Sequence, residues 1–164
     1  MTDSPSLYSA DQKFGGIPPE ITASFPGMEV YRRMLAGELP PPPIYGTANI
    51  ILVSAEEGTT RFEALYRKAF GNPVGTAHGG WIATLLDSAL ASCVHTRLPA
   101  GFGLATVEFK TNIVRPVTAS TGKLQIEGEI IHFGKSIATS QARVTTADGK
   151  LIAHGVETCS IFKL

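Results

Sequence analysis

Residues 72–90 read Asn72-Pro73-Val74-Gly75-Thr76-Ala77-His78-Gly79-Gly80-Trp81-Ile82-Ala83-Thr84-Leu85-Leu86-Asp87-Ser88-Ala89-Leu90. The stretch changes character at the glycine pair. Before it lie the turn formers Asn72, Pro73 and Gly75. After it, from Trp81 to Arg97, there is no Gly or Pro. Apolar residues recur there at Trp81, Leu85 and Ala89, and again at Ile82, Leu86, Leu90 and Cys93. That is helical spacing with a wide apolar face, so the segment predicts one long, largely buried helix. Pro99 and Gly101 end it.

Everything around this helix reads as β-structure. Upstream, Ala48–Ser54 and Thr59–Tyr66 flank Glu57-Gly58, a hairpin signal. Downstream, four strands are expected, roughly Leu104–Val114, Thr121–His132, Ser136–Thr145 and Leu151–Phe162. They are separated by Arg115-Pro116, Phe133-Gly134-Lys135 and Ala147-Asp148-Gly149-Lys150, the last a tight turn by its Asp-Gly pair. One buried helix followed by an antiparallel meander gives an α+β class with the sheet wrapped around the helix. Residues 1–45 differ in composition. They hold most of the prolines, including Pro40 to Pro43, a run expected to be extended and barred from a helix. Met28 to Gly37 reads as a short amphipathic helix closed by Gly37. The expected organisation is therefore a proline-rich arm, 1–45, packed on a main domain, 46–164.

Composition sets the outer bounds. The chain has 164 residues, 43% hydrophobic and 17% charged, which suits one globular domain with its own core. Fourteen Lys and Arg balance fourteen Asp and Glu, so there is no electrostatic footprint for nucleic acid or an anionic membrane. No apolar run approaches the ~20 residues of a bilayer span. The opening residues, MTDSPSLYSADQK, lack the basic and apolar parts of a signal peptide. Cys93 and Cys159 are too few for a zinc site, and the four histidines share no metal-ligand spacing. A reducing, cytoplasmic location is expected, with no metal.

Two features carry chemistry. His78-Gly79-Gly80 opens the helix, where first-turn N–H groups have no helical partner and the helix dipole is positive. Such a turn suits a carbonyl oxygen that becomes an oxyanion. Read alone, a glycine pair is more often mere punctuation for a tight turn and close packing. Asp87 is the second feature. It sits mid-helix among Leu85, Leu86, Ala89 and Leu90, where a carboxylate is costly unless it has a partner or a task. The bland alternative is a solvated polar stripe with Thr84, Ser88 and Ser92.

Asn72 to Gly80, followed by Asp87-Ser88-Ala89, resembles the signature of hot-dog-fold acyl-coenzyme A thioesterases of the phenylacetate-degradation type. The likeness runs from about Ala48 to Phe162 and leaves out the arm. It implies a hot-dog fold and hydrolysis of an acyl-coenzyme A thioester without a cofactor, coenzyme A being part of the substrate. It further implies that the Gly79 N–H polarises the thioester carbonyl and that Asp87 is the nucleophile or the general base for water. Asn72 matches an amide that places thioester or water, and Thr106 a hydroxyl that positions water in some relatives. Thr106 has a bland alternative, because simple alternation puts it on one strand face with Glu108, Lys110 and Asn112. His78 takes an orienting part at the helix start and joins Gly80 and Ser88 among the substrate-binding candidates. Gly134 is a further substrate-binding candidate, and Arg115 and Lys135 are candidates for the coenzyme A phosphates, against the commoner role of lone basic residues as solvated charges.

Gly79 and Asp87 lie eight residues apart, about 12 Å along one helix at ~1.5 Å per residue. Two groups acting on one carbonyl must both reach within ~3.5 Å of it. If both are catalytic, they come from different subunits. A homodimer with two interfacial sites follows, and the resemblance adds a dimer of dimers. Two other functions compete. A non-catalytic acyl-coenzyme A sensor leaves Asp87 unexplained and would need a DNA-binding element the arm lacks. A hydratase would need a paired His and acid around a differently built loop.

Overall fold

The computed structural model describes residues 5–164; the first four residues of the arm lie outside the described residues. The arm carries two short helices, α1 (Pro19–Ser24) and α2 (Gly27–Leu35), and a third, α3 (Pro43–Ala48), runs across the expected boundary into the main domain. Only α2 was expected, and Gly37 beyond its end takes φ +75°, as a helix-terminating glycine does. The proline run departs from expectation at its last member. Pro42 is extended, but Pro43 starts α3. Its missing N–H falls where a helix has no bond to make, so proline is favoured there. Asn49 closes α3 in the left-handed region, and the first strand therefore begins after it. The buried Asn49 amide accepts from Leu7 N–H and donates to Leu65 O, tying arm and main body together. Two further backbone bonds, Gly27 N–H to Leu98 O and Gly101 N–H to Thr22 O, fasten the arm beside the far end of the long helix.

The main body holds β1 (Ile50–Glu56), β2 (Thr59–Leu65), the long helix α4 (Gly79–His95), β3 (Phe102–Ile113), β4 (Lys123–Phe133), β5 (Ile137–Thr146) and β6 (Leu151–Lys163). All strand neighbours pair antiparallel, in the order β1-β2-β4-β5-β6-β3. This is the hot-dog fold, a sheet wrapped around one buried helix. A plain meander is corrected in one respect. β3 does not pair with β4; it lies at the far edge, against β6. α4 is about 25 Å long at ~1.5 Å per residue, and it carries the chain across the sheet from β2 to that edge. Residues 114–122 then bring it back, so β4 takes the place beside β2.

α4 sits almost on the sheet backbone. A Cβ on Gly128 of β4 would lie 2.4 Å from the Ala89 carbonyl oxygen. That oxygen accepts from Thr60 Oγ1 at 3.2 Å, and the next one, Leu90 O, accepts from Ser140 Oγ at 3.0 Å. Leu85, Leu86 and Leu90 are fully buried against Phe62, Leu124, Ile126 and Val144. Trp81 belongs to the same core: its Nε1–H donates to Ala48 O at 2.7 Å and its ring stacks on Phe70. Phe102 packs with a second apolar cluster around Cys93, Leu98 and Cys159. No helix of the described residues is long and apolar enough to cross a membrane.

Gly128→Ala should destabilise the protein by about 1–3 kcal/mol, because the added methyl can be fitted only by lifting α4 off β4. Urea unfolding checks this, with Ala138→Gly alongside as a measure of simple cavity loss.

Candidate active site

The loop leading into α4 is built around Asn72. Its side-chain oxygen accepts from the N–H groups of Val74 and Thr76, both at 3.1 Å. Its amide donates to Thr76 Oγ1 at 2.8 Å. Backbone bonds from Ala77 N–H to Val117 O and from His78 N–H to Phe70 O then fix where the helix begins. In the single chain the Asn72 amide thus organises its own loop, and this rigid loop aims the first turn of α4.

His78 is the N-cap of α4. Its Nδ1 accepts from Gly80 N–H at 2.9 Å. The capping bond uses the Gly80 donor, so a ligand's oxygen would find the neighbouring one. Gly79 N–H has no acceptor among the described residues. Gly79 is exposed, and a Cβ on it would meet only Ile113 Cδ1, at 3.4 Å. The donor is open to solvent at the positive end of a 17-residue helix.

Two turns later, Asp87 is half-buried and faces Thr106 on β3. Burial pushes its carboxyl above the usual range, and the hydrogen bond with Thr106 opposes this. The polar stripe beside it, Thr84 and Ser88, is partly exposed. Ser88 Oγ donates to Thr84 O and Thr84 Oγ1 to Gly80 O, so both hydroxyls bond back to their own helix.

Thr106 corrects the alternation expected for its strand. The ladder slips between Thr106 and Glu108: Thr106 faces Cys159, whereas Glu108 faces Thr158. This bulge turns Thr106, which stays exposed in the single chain, to the helix side, while Glu108 lies on the other side with Thr158, whose Oγ1 donates to it at 2.8 Å. Thr106 Oγ1 donates at 2.9 Å to Glu157 Oε1. Glu157 was missed in the sequence. It is 1% exposed, and its carboxyl is pushed up to about 7, chiefly by burial and further by the charges of Asp87 and Glu108. The signal was present in the parity of β6, where Ala153, Gly155, Glu157, Cys159 and Ile161 all face inward.

The basic candidates are not brought together in one chain. Arg115 is exposed just beyond β3, on the Gly79 side, and its guanidinium donates to Leu151 O. Gly134 and Lys135 form the β4–β5 turn, closed by Gly134 N–H to Ile137 O, at the opposite end of the β3–β6 ladder. Two concavities of the single chain lie elsewhere. One is on the sheet around Arg61, Glu127, Arg143 and His154, the other between the arm and β1; neither includes Gly79 or Asp87. A carboxylate and an open N–H donor thus stand about 12 Å apart on one rigid helix.

Comparison with known proteins places the chain. Residues 74–153 match the thioesterase superfamily. The human acyl-coenzyme A thioesterase 13 is 33% identical over 111 residues, which cover 66% of this chain and 77% of that protein. Among solved structures, a phenylacetic acid degradation-related protein of Ralstonia eutropha JMP134 superposes with a TM-score of 0.73 at 29% identity, over 79% of this chain and 98% of that one. A thioesterase family protein of Silicibacter pomeroyi shares the fold, with a TM-score of 0.72 at 22% identity, over 84% and 99% of the two chains.

The cap supports one measurement before any chemistry. His78→Ala should cost about 1 kcal/mol in urea unfolding, and His78→Asn should recover most of it, because an asparagine oxygen is an effective N-cap acceptor.

Proposed function

Since the chain belongs to the thioesterase superfamily, we propose that it hydrolyses acyl-coenzyme A thioesters to the free acid and coenzyme A. The observation that carries this reading is the pairing, on one helix, of an open Gly79 N–H with a half-buried carboxylate at Asp87. The thioester oxygen would sit at Gly79 N–H, where the donor and the helix dipole stabilise the negative charge of the tetrahedral intermediate. Asp87 acts on the carbon. As general base it takes a proton from water as the water oxygen adds; as nucleophile it adds directly and the resulting anhydride is hydrolysed. In either route the C–S bond breaks and the sulfur leaves as the thiolate of coenzyme A. A thioester is already activated, so the reaction needs no redox cofactor or metal. Asn72 contributes by holding the loop that presents Gly79, and Thr106 by bonding the Asp87 carboxylate.

The separation along α4 makes each site a product of two chains. Gly79, with the Asn72 loop and Arg115, comes from one copy. Asp87, with Thr106 and Lys135, comes from the other. This arrangement also collects on one side of a shared site the basic residues that lie at opposite ends of a single chain. The edge strand β3 suits the pairing, since its outer side is unpaired and Val107, Phe109 and Ile113 are exposed along it.

Two outcomes test this. Asp87→Asn should lower kcat by about 100-fold or more while KM moves little. Gly79→Pro should lower kcat by about 100-fold with Tm nearly unchanged, because proline at the first helical position deletes only the N–H. The extended backbone of His78 already suits a following proline. Mixing the two variants under subunit exchange should then restore about a quarter of wild-type activity, since half of the dimers are mixed and each has one intact site. No recovery, with exchange verified by mass spectrometry, would show that each site is built within one chain.

A further inference from the structure

We propose that Glu157 is a positioning residue for Asp87: its carboxyl when protonated donates to Thr106 Oγ1 and turns the Thr106 proton toward the Asp87 carboxylate, and when ionised takes that proton for itself. The inference rests on Asp87 acting in hydrolysis, as proposed above.

The geometry leaves one proton for two acceptors. A threonine hydroxyl donates once and accepts through its lone pairs. Thr106 Oγ1 lies 2.9 Å from Glu157 Oε1 and also bonds the Asp87 side chain. It cannot donate to both carboxylates at once. Glu157 is the member of the pair that water cannot rescue. It is fully buried, and its Oε2 has no hydrogen-bond partner. A carboxylate there would carry an uncompensated charge, while a neutral carboxylic acid can leave its carbonyl oxygen unpaired at much smaller cost.

The surroundings add no cation. Asp87 and Cys93 face Glu157 from α4, Glu108 and Thr106 from β3, Ser140 from β5 and Cys159 from its own strand. Cys159 Sγ donates to Oε1 at 2.9 Å, and Ser140 Oγ is directed to Leu90 O. Both carboxylates nearby are negative, and the thiol of Cys93 is itself pushed up to about 12 by burial. The protonated form of Glu157 therefore persists to about pH 7. Below that point the chain of donors runs Glu157 to Thr106 to Asp87, which orients the Asp87 carboxylate and keeps it ionised. Above it Thr106 turns back to Glu157, and Asp87 loses its donor and gains a like charge beside it.

The sign follows. Activity is high with Glu157 protonated and falls as pH rises through about 7. The loss is about tenfold, the effect of removing one hydrogen bond to a charged group. The test is kcat against pH, from about pH 5.5 to about pH 9, with saturating hexanoyl-coenzyme A followed by loss of thioester absorbance. Wild type should show the inflection. Glu157→Gln should lack it, because the amide donates to Thr106 at every pH, and its KM should stay within about twofold. Thr106→Ser should keep the inflection, and Thr106→Val should be slower throughout and keep only the smaller part of it that the like charge of Glu157 causes. This serine and valine pair carries the test alone if Glu157→Gln fails to fold. An inflection that is absent in wild type, or equal in Glu157→Gln or Thr106→Val and wild type, would overturn the positioning role. With Asp87→Asn inactive in the same assay, that result leaves the role of Asp87 in hydrolysis standing; an active Asp87→Asn removes that role and the positioning role together.

Discussion

The close seating of α4 on the sheet governs the rest of the molecule. Its middle carbonyls, Ala89 O and Leu90 O, accept hydroxyl bonds from β2 and β5, and Gly128 leaves no side chain between helix and strand. Contact this close needs small residues on the facing strands, and Ala138, Ala142, Ala153 and Gly155 supply them. Helix and sheet then move as one body. Every group on α4 has a fixed place relative to β3, including the open donor at its start and the carboxylate two turns on.

In the proposed reading, that rigidity divides the two groups between separate sites. A straight helix cannot bend a donor and a carboxylate about 12 Å apart onto one carbonyl. The same helix can serve two sites, one at each end of its exposed flank. The unpaired β3 edge lies along this flank and carries apolar side chains a second copy would cover. Assembly and chemistry are in this reading one constraint.

Around Asp87 the dominant effect is burial, with no positive charge to offset it. Glu157 lies near it, and no lysine or arginine is paired with it among the described residues. A hydroxyl donor, that of Thr106, takes the place of a cation. Such a donor stabilises a carboxylate but leaves its proton affinity open to neighbours, unlike an arginine, which would hold it low. The arm acts at a distance from this centre. Its bonds to Leu98, Gly101 and Asn49 brace the two ends of the helix–strand unit.

Local pattern was enough for the elements that depend on neighbours in sequence. The apolar spacing from Trp81 to Cys93, the Glu57-Gly58 and Asp148-Gly149 turns, the helix ended by Gly37 and the exceptional Asp87 are all visible along the chain, because 3.6-residue periodicity and turn chemistry are local properties. His78-Gly79-Gly80 also announced a donor site, but not that His78 itself would take the Gly80 N–H and leave Gly79 open. The place of β3 beside β6, the bulge that turns Thr106 inward and the partnership of Thr106 with Glu157 depend on pairing between residues some fifty positions apart. A one-residue slip in that ladder reverses which face a side chain occupies, and nothing in the run Ala105-Thr106-Val107-Glu108 records it. Sequence determined that a buried helix would carry a donor and a carboxylate; strand register alone decided which hydroxyl and which second carboxyl stand beside them.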